Sequence, residues 1–168
     1  TQMDNMLFSN MTLNPQPLHI DRHFCETETE WGQPLMNSLF TLGLMIGIQV
    51  SDMTVGTTIA NLGMTDVKFP NPLFEGDTIH CTTQVVSKRE SKSRPGAGIV
   101  EFHHKAFKQD GTLVAECHRQ AFDHSRAREQ RIRIAGVRQG LLETLRVLGK
   151  PEWVGGADVD FQLLHRAV

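Results

Sequence analysis

Leu35-Met36-Asn37-Ser38-Leu39-Phe40-Thr41-Leu42-Gly43-Leu44-Met45-Ile46-Gly47-Ile48-Gln49-Val50 is the stretch on which the fold turns. It is apolar nearly all the way round and lacks the polar stripe of an amphipathic surface helix. It therefore reads as a helix buried on most of its sides. Asn37 or Ser38 can cap its start, because a short polar side chain there accepts from an otherwise orphan amide. Gly43 and Gly47 share one face. Each costs about 1 kcal/mol in a helix interior, which is reasonable where a sheet or a ligand presses close.

Downstream, the pattern changes from helical to alternating. Residues 57–69 are rich in β-branched and apolar types and stop at Pro70-Asn71-Pro72. Phe74-Glu75-Gly76-Asp77 reads as a turn. Residues 78–87 alternate, with Ile79, Cys81, Thr83 and Val85 on one face and His80, Thr82 and Gln84 on the other. Residues 98–108 form another strand, with Glu101, His103, Lys105 and Phe107 opposite Val100, Phe102, His104 and Ala106. Gln109-Asp110-Gly111 is a hairpin turn and residues 112–122 return from it. One engulfed helix followed by an antiparallel sheet is an α+β plan. His80, His103, His104 and His118 fall on these strands and read as surface or half-buried groups, because nothing clusters them as metal ligands.

Upstream lies the run Asn14-Pro15-Gln16-Pro17-Leu18-His19-Ile20-Asp21. Each proline fixes φ near −65° and pushes the residue before it towards extended backbone. The result is a stiff loop, suited to holding a proton-transfer group in place. His19 is the natural proton carrier at neutral pH. Asn14 can orient a water but cannot take its proton. Asp21 orients the surroundings of His19 or caps the turn that follows. Before this loop, Met3, Met6, Leu7, Phe8 and Met11 fall at roughly helical spacing and read as core filler.

The bulk properties exclude several classes of function. A chain of 168 residues is one domain, with room for a tail. Its formal net charge of −2 gives no global pull towards nucleic acid or membrane. No apolar stretch reaches the roughly 20 residues that span a bilayer, and no signal peptide opens the chain. Cys25, Cys81 and Cys117 are odd in number and lack metal-ligand spacing, so they read as free thiols in a reducing cytoplasm. A start at Thr1 rather than Met points to residues missing upstream. Residues 124–168 form a separate extension: a basic run (Arg126, Arg128, Arg131, Arg133), then Val137, Leu141, Leu142, Leu145 and Leu148 at helical spacing.

Three motifs in one order carry a resemblance. Asn14-Pro15 with His19-x-Asp21, then Pro34-Leu35-Met36-Asn37-Ser38 opening the apolar helix, then Phe69-Pro70-x-Pro72-Leu73-Phe74-x-Gly76-Asp77, resemble the MaoC-like dehydratases, which include the (R)-specific enoyl-CoA hydratases. The resemblance covers residues 1–123. Residues 37–44, 57–63 and 91–96 look closest to the branch that hydrates branched C5 dicarboxylic thioesters, the mesaconyl-CoA or itaconyl-CoA hydratases. The family's hydration motif usually reads Asp-x-Asn-Pro-x-His. Five residues before His19 stands Asn14; aligning Asn14-Pro15 on the family's Asn-Pro instead places Thr12 at the Asp position. Either way the family's loop carboxylate is missing here.

The resemblance implies a hot-dog fold, in which an antiparallel sheet wraps a long central helix, with a C-terminal helical tail added. It implies reversible addition of water to a 2-enoyl-CoA. His19 would move the proton, Asn14 would hold the water, and the peptide N–H at Ser38 would stabilise the thioester oxyanion. Asn37, Asp21, Lys92 and Arg94 would help to bind substrate, with Arg94, Lys92 and Arg89 at the phosphates of coenzyme A. No metal or separate cofactor is implied, since coenzyme A belongs to the substrate. An edge strand left open and a half-built cleft predict a homodimer or larger assembly. Two other readings compete. A thioesterase of this fold needs a carboxylate on the central helix, and residues 35–50 contain none. A non-catalytic acyl-CoA sensor is compatible with Asn14 and with the basic tail.

Overall fold

A computed structural model describes residues 1–124. The expected C-terminal helix and basic run lie outside the described residues. The described chain runs α1 (Gln2–Met11), α2 (Pro17–Ile20), α3 (Arg22–Glu28), α4 (Ser38–Met53), β1 (Thr58–Lys68), β2 (Ile79–Glu90), β3 (Ala97–Lys108) and β4 (Leu113–His124). The four strands form one antiparallel sheet in the order β1-β4-β3-β2.

The sheet follows from the sequence alternation. On the α4 side, Ile79, Cys81 and Thr83 of β2 are buried with Phe102, His104 and Ala106 of β3 and with Ala115, Cys117 and Arg119 of β4. Met36, Met45, Leu73 and Val114 complete this core, and Phe40, Leu42, Leu44 and Ile48 pack against it. The three thiols are free and buried, and burial pushes the Cys81 thiol up to about 12. On the opposite side of the sheet, His103 and His118 stack at 4.3 Å. Each faces a carboxylate, His103 on Glu116 at 3.5 Å and His118 on Glu101 at 3.4 Å.

The central helix keeps the expected Asn37 cap but departs from expectation in where it ends and in how it is buried. It starts at Ser38, because the side chain of Asn37 caps it by accepting from the Leu39 N–H at 3.0 Å, and it runs on to Met53. Its buried stripe is Thr41, Met45 and Gln49, while Leu39, Gly43 and Gly47 stand exposed. A Cβ added at Gly43 or Gly47 would meet no atom within 4 Å. No described strand presses there. A single four-stranded layer covers one side of a helix, and among the described residues nothing covers the other.

His104 also departs from expectation: it is 1% exposed rather than half-buried. Neighbouring strands satisfy both ring nitrogens. Arg119 Nε donates to Nε2 at 3.1 Å, so Nδ1 carries the proton and donates to Thr83 Oγ1 at 2.6 Å. Burial, reinforced by the Arg119 charge, pushes this imidazole down to about 3.

Candidate active site

The site is built where α1, α2 and the start of α4 meet. Thr1 and Asp4 form a capping box that fixes the first turn of α1. The helix closes with Leu13 N–H on Asn10 O at 3.1 Å and Asn14 N–H on Ser9 O at 2.9 Å. This is the Schellman pattern, with Leu13 at φ 54° in the left-handed position that glycine usually fills. The reversal turns Asn14 back towards the body of the protein. There its side-chain oxygen accepts from the Gln16 N–H at 3.3 Å, and the residue is half-buried.

Pro17 then starts α2, a position where its missing N–H costs nothing. His19 therefore sits on a single helical turn rather than in an open loop. Two bonds join this turn to the approach to α4. Leu35 N–H donates to Leu18 O at 2.9 Å, and the ring of His19 meets Leu35 O through Nδ1 at 2.8 Å. A carbonyl only accepts, so Nδ1 carries the proton and Nε2 holds the lone pair. The approach segment is fixed from its other side, where Met36 N–H donates to Leu73 O at 2.9 Å and Leu35 pairs with Phe74 as an isolated antiparallel bridge. The glycine of that turn, Gly76 at φ +87°, supplies the conformation that lets Asp77 close it by accepting from the Phe74 N–H at 3.0 Å.

At the tip of α4, the Leu39 N–H goes to the Asn37 side chain and the Thr41 N–H to the Asn37 carbonyl. Among the described residues, the amides of Ser38 and Phe40 have no partner. These N–H groups and the positive end of the helix dipole make the tip a place for a negative oxygen. A proton-accepting nitrogen and a pair of open donors thus stand on adjoining segments, joined through Leu35.

The remaining candidates fall elsewhere. Asp21 caps α3, its carboxylate accepting from the Phe24 N–H at 3.0 Å. Lys92 and Arg94 occupy the exposed β2–β3 tip, where the Arg94 N–H is tied to Ser91 Oγ and its guanidinium lies 6.0 Å from the Phe122 ring centroid. Arg89 is exposed near the end of β2. No group of three or more metal-ligating side chains occurs among the described residues.

The MaoC like domain family matches residues 1–106. The chain belongs to the MaoC-like dehydratase family. Similar solved structures include a monoamine oxidase regulatory protein from Archaeoglobus, 30% identical, with a TM-score of 0.65 over 74% of this chain and 82% of that one. An (R)-hydratase of A. caviae involved in PHA biosynthesis is 23% identical, with a TM-score of 0.60 over 71% and 85% of the two chains. A conserved protein of Mycobacterium tuberculosis with a double hotdog fold is 20% identical, with a TM-score of 0.67 over 77% of this chain and 40% of that one. No curated protein matches. The fold of this MaoC-like domain is the hot-dog fold, as the sequence implies.

The sequence reading missed part of this site. In this MaoC-like chain Asn5 and Ser9 are fully buried, whereas Met3, Leu7 and Met11 of the same helix are exposed. Asn5 Nδ2 donates to His19 O at 3.0 Å and to Leu35 O at 3.2 Å, and Asn5 Oδ1 accepts from the Asn37 N–H at 2.8 Å. Gln2 Nε2 also donates to His19 O at 2.9 Å, and Asn37 Nδ2 to Ser9 Oγ at 3.4 Å. The available signal was polar spacing: Gln2, Asn5 and Ser9 lie three and four residues apart, which is one helix face.

Proposed function

We propose that the protein adds water reversibly across the double bond of a 2-enoyl-CoA thioester. The observation that supports this reading is the His19–Leu35 bond: it leaves the other imidazole nitrogen bare and ties the ring to the backbone two residues before the cap of a helix with open amides. In hydration, His19 Nε2 takes a proton from water as the water oxygen bonds to the β-carbon. The π-electrons of the double bond move onto the thioester oxygen, which the Ser38 N–H receives as the enolate forms. His19 then returns the proton to the α-carbon. Asn14 holds the water in place. Dehydration retraces the same steps, and nothing is oxidised or reduced.

Arg94 and Lys92, with Arg89, reach for the phosphates of coenzyme A, and Asn37 and Asp21 shape the entrance. The acyl group is a branched C5 dicarboxylic one, a reading that rests on the likeness of residues 37–44, 57–63 and 91–96 to that branch. The working unit is a homodimer or larger assembly in the cytoplasm. Its support is the apolar surface one chain leaves open: Leu39 on α4, Leu62 and Val67 on the edge strand β1, and Met3, Leu7 and Met11 on α1. No described helix is long and apolar enough to cross a membrane.

The test is loss of the enoyl-thioester absorbance with crotonyl-CoA and mesaconyl-CoA, with products weighed by mass spectrometry. Turnover by the wild type and none by His19→Ala is the expected result. A second reading, a domain that binds acyl-CoA without turning it over, is favoured by the missing loop carboxylate, with Asn14 or Thr12 at the position where the family usually carries one. Tight binding of both thioesters with no gain of 18 mass units would establish that reading instead.

A further inference from the structure

We propose that Asn5 is the positioning residue of this site: its carboxamide holds the carbonyl that selects the Nδ1–H tautomer of His19 and so leaves Nε2 as the proton acceptor. The kinetic part rests on the hydratase reading above; the tautomer part does not.

Three segments meet beside the imidazole and must be held in register: the backbone of His19, the carbonyl of Leu35 and the amide of Asn37. One side chain binds all three. Asn5 has two N–H donors and one carbonyl acceptor, and each has a partner, His19 O and Leu35 O for the donors and the Asn37 N–H for the acceptor. The side chain is 0% exposed, so these bonds do not compete with water. Leu35 O receives both Asn5 Nδ2 and His19 Nδ1, at 3.2 and 2.8 Å. The Leu35–Met36 peptide is also held from its far side by the Met36 N–H on Leu73 O; without Asn5 it loses its tie to α1 and to the His19 backbone, so ring and carbonyl are no longer locked to each other. The tautomer of a histidine is set by the bond its other nitrogen makes, so a loosened pair no longer specifies which nitrogen is bare.

No close relative of asparagine can do the same. Aspartate keeps the shape and the acceptor but has no donor when ionised. Leucine has neither, and serine is too short to span the three partners. α1 is also anchored at both ends, by its capping box and by the Leu13 reversal, so Asn5 cannot follow the turn it holds. Gln2 duplicates only the bond to His19 O, and Ser9 reaches only the Asn37 side chain. Neither touches Leu35.

The test uses 15N-histidine NMR of the whole chain at a pH where His19 is neutral. The wild type should show a protonated Nδ1 and a bare Nε2 for His19, and Asn5→Ser should shift the population towards the opposite tautomer. With the enoyl-CoA that the wild type turns over, kcat should fall about 10- to 100-fold in Asn5→Ser, with KM changed less than about twofold. A structural role alone would lower the amount of folded protein without moving the tautomer. Asn5→Asp keeps side-chain volume and serves if the serine variant does not fold. A bare Nδ1 in the wild type, or an unchanged His19 tautomer in the variant, overturns the proposal. If no enoyl thioester is turned over even by the wild type, the hydratase reading falls and the spectra still decide the role of Asn5.

Discussion

Two histidines, one tied to the segment that leads into α4 and one in the sheet that α4 covers, show what makes an imidazole chemically useful. His19 stands on α2, half-buried, with Nδ1 on the Leu35 carbonyl and, among the described residues, no bonding partner on Nε2. His104 lies in the sheet that α4 covers, almost fully buried, with Thr83 on one nitrogen and Arg119 on the other. Burial alone would rank His104 as the more perturbed and hence the more functional group. Its geometry says otherwise. Both its nitrogens are occupied, and a guanidinium beside it forbids the imidazolium. The lone pair of His104 organises a core, whereas that of His19 is left for chemistry.

The comparison breaks most directly by exchanging losses. His19→Ala should lower kcat for enoyl-CoA hydration by about 10²- to 10⁴-fold and leave the Tm nearly unchanged. Activity that survives this change would remove His19 from the chemistry. Ser38→Pro sharpens the same side. Proline is welcome at the first position of a helix, and Asn37 already has the extended backbone (φ −60°, ψ 126°) that a following proline demands. The variant therefore deletes one N–H and keeps the helix. A loss of about 10²- to 10³-fold in kcat is expected, with the circular dichroism of the wild type; full activity would show that this amide meets no oxyanion.

On the other side, His104→Leu strands the Arg119 and Thr83 hydrogen-bonding groups in the core. It should cost about 2–3 kcal/mol in urea unfolding, while the folded fraction keeps its kcat. Catalytic loss at unchanged stability would refute the division of roles. The same residue sets a pH dependence. Its folded-state pKa is depressed to about 3, below that of the unfolded chain, so the unfolded chain takes up the proton first as pH falls. Stability is complete above about pH 6.5 and should then drop by about 1.4 kcal/mol per pH unit towards pH 4. His103, whose pKa is lowered by burial and by His118 and Lys105, acts with the same sign. His104→Leu should flatten this slope; an equal slope in the variant would assign it to other groups. The smallest effect belongs to the α1 reversal. Leu13 is 88% exposed and left-handed, so Leu13→Gly should raise stability by up to about 1 kcal/mol. A lower Tm would mean that the leucine makes contacts worth more than its strain.

Much of this was legible because it follows hydrophobic period. The alternation of residues 78–87 and 98–108 set the two faces of β2 and β3, and even placed His104 on the side of Phe102 and Ala106. What alternation could not supply was the partner of a polar residue. Thr83 and Arg119 are 21 and 15 residues from His104 in sequence, and only strand register makes them its neighbours. α1 misled for a related reason. The apolar spacing of Met3, Leu7 and Met11 draws the eye, yet the buried face is the polar one, because it must bind backbone groups of α2 and α4. The cap at Asn37 and the closure of the Phe74–Asp77 turn were readable from local chemistry. The open side of α4 was not, since an apolar sequence does not say whether the layer covering it comes from the same chain.

The two open donors at the tip of α4 are main-chain groups, and this has a consequence for how the site can change over time. Any residue except proline presents the same N–H at position 38, so the side chain there is free to drift without erasing the group that would face the substrate oxygen. Inheritance of that donor is carried by the shape of the chain rather than by a codon. Asn5, whose contribution resides wholly in its side chain, has no such freedom.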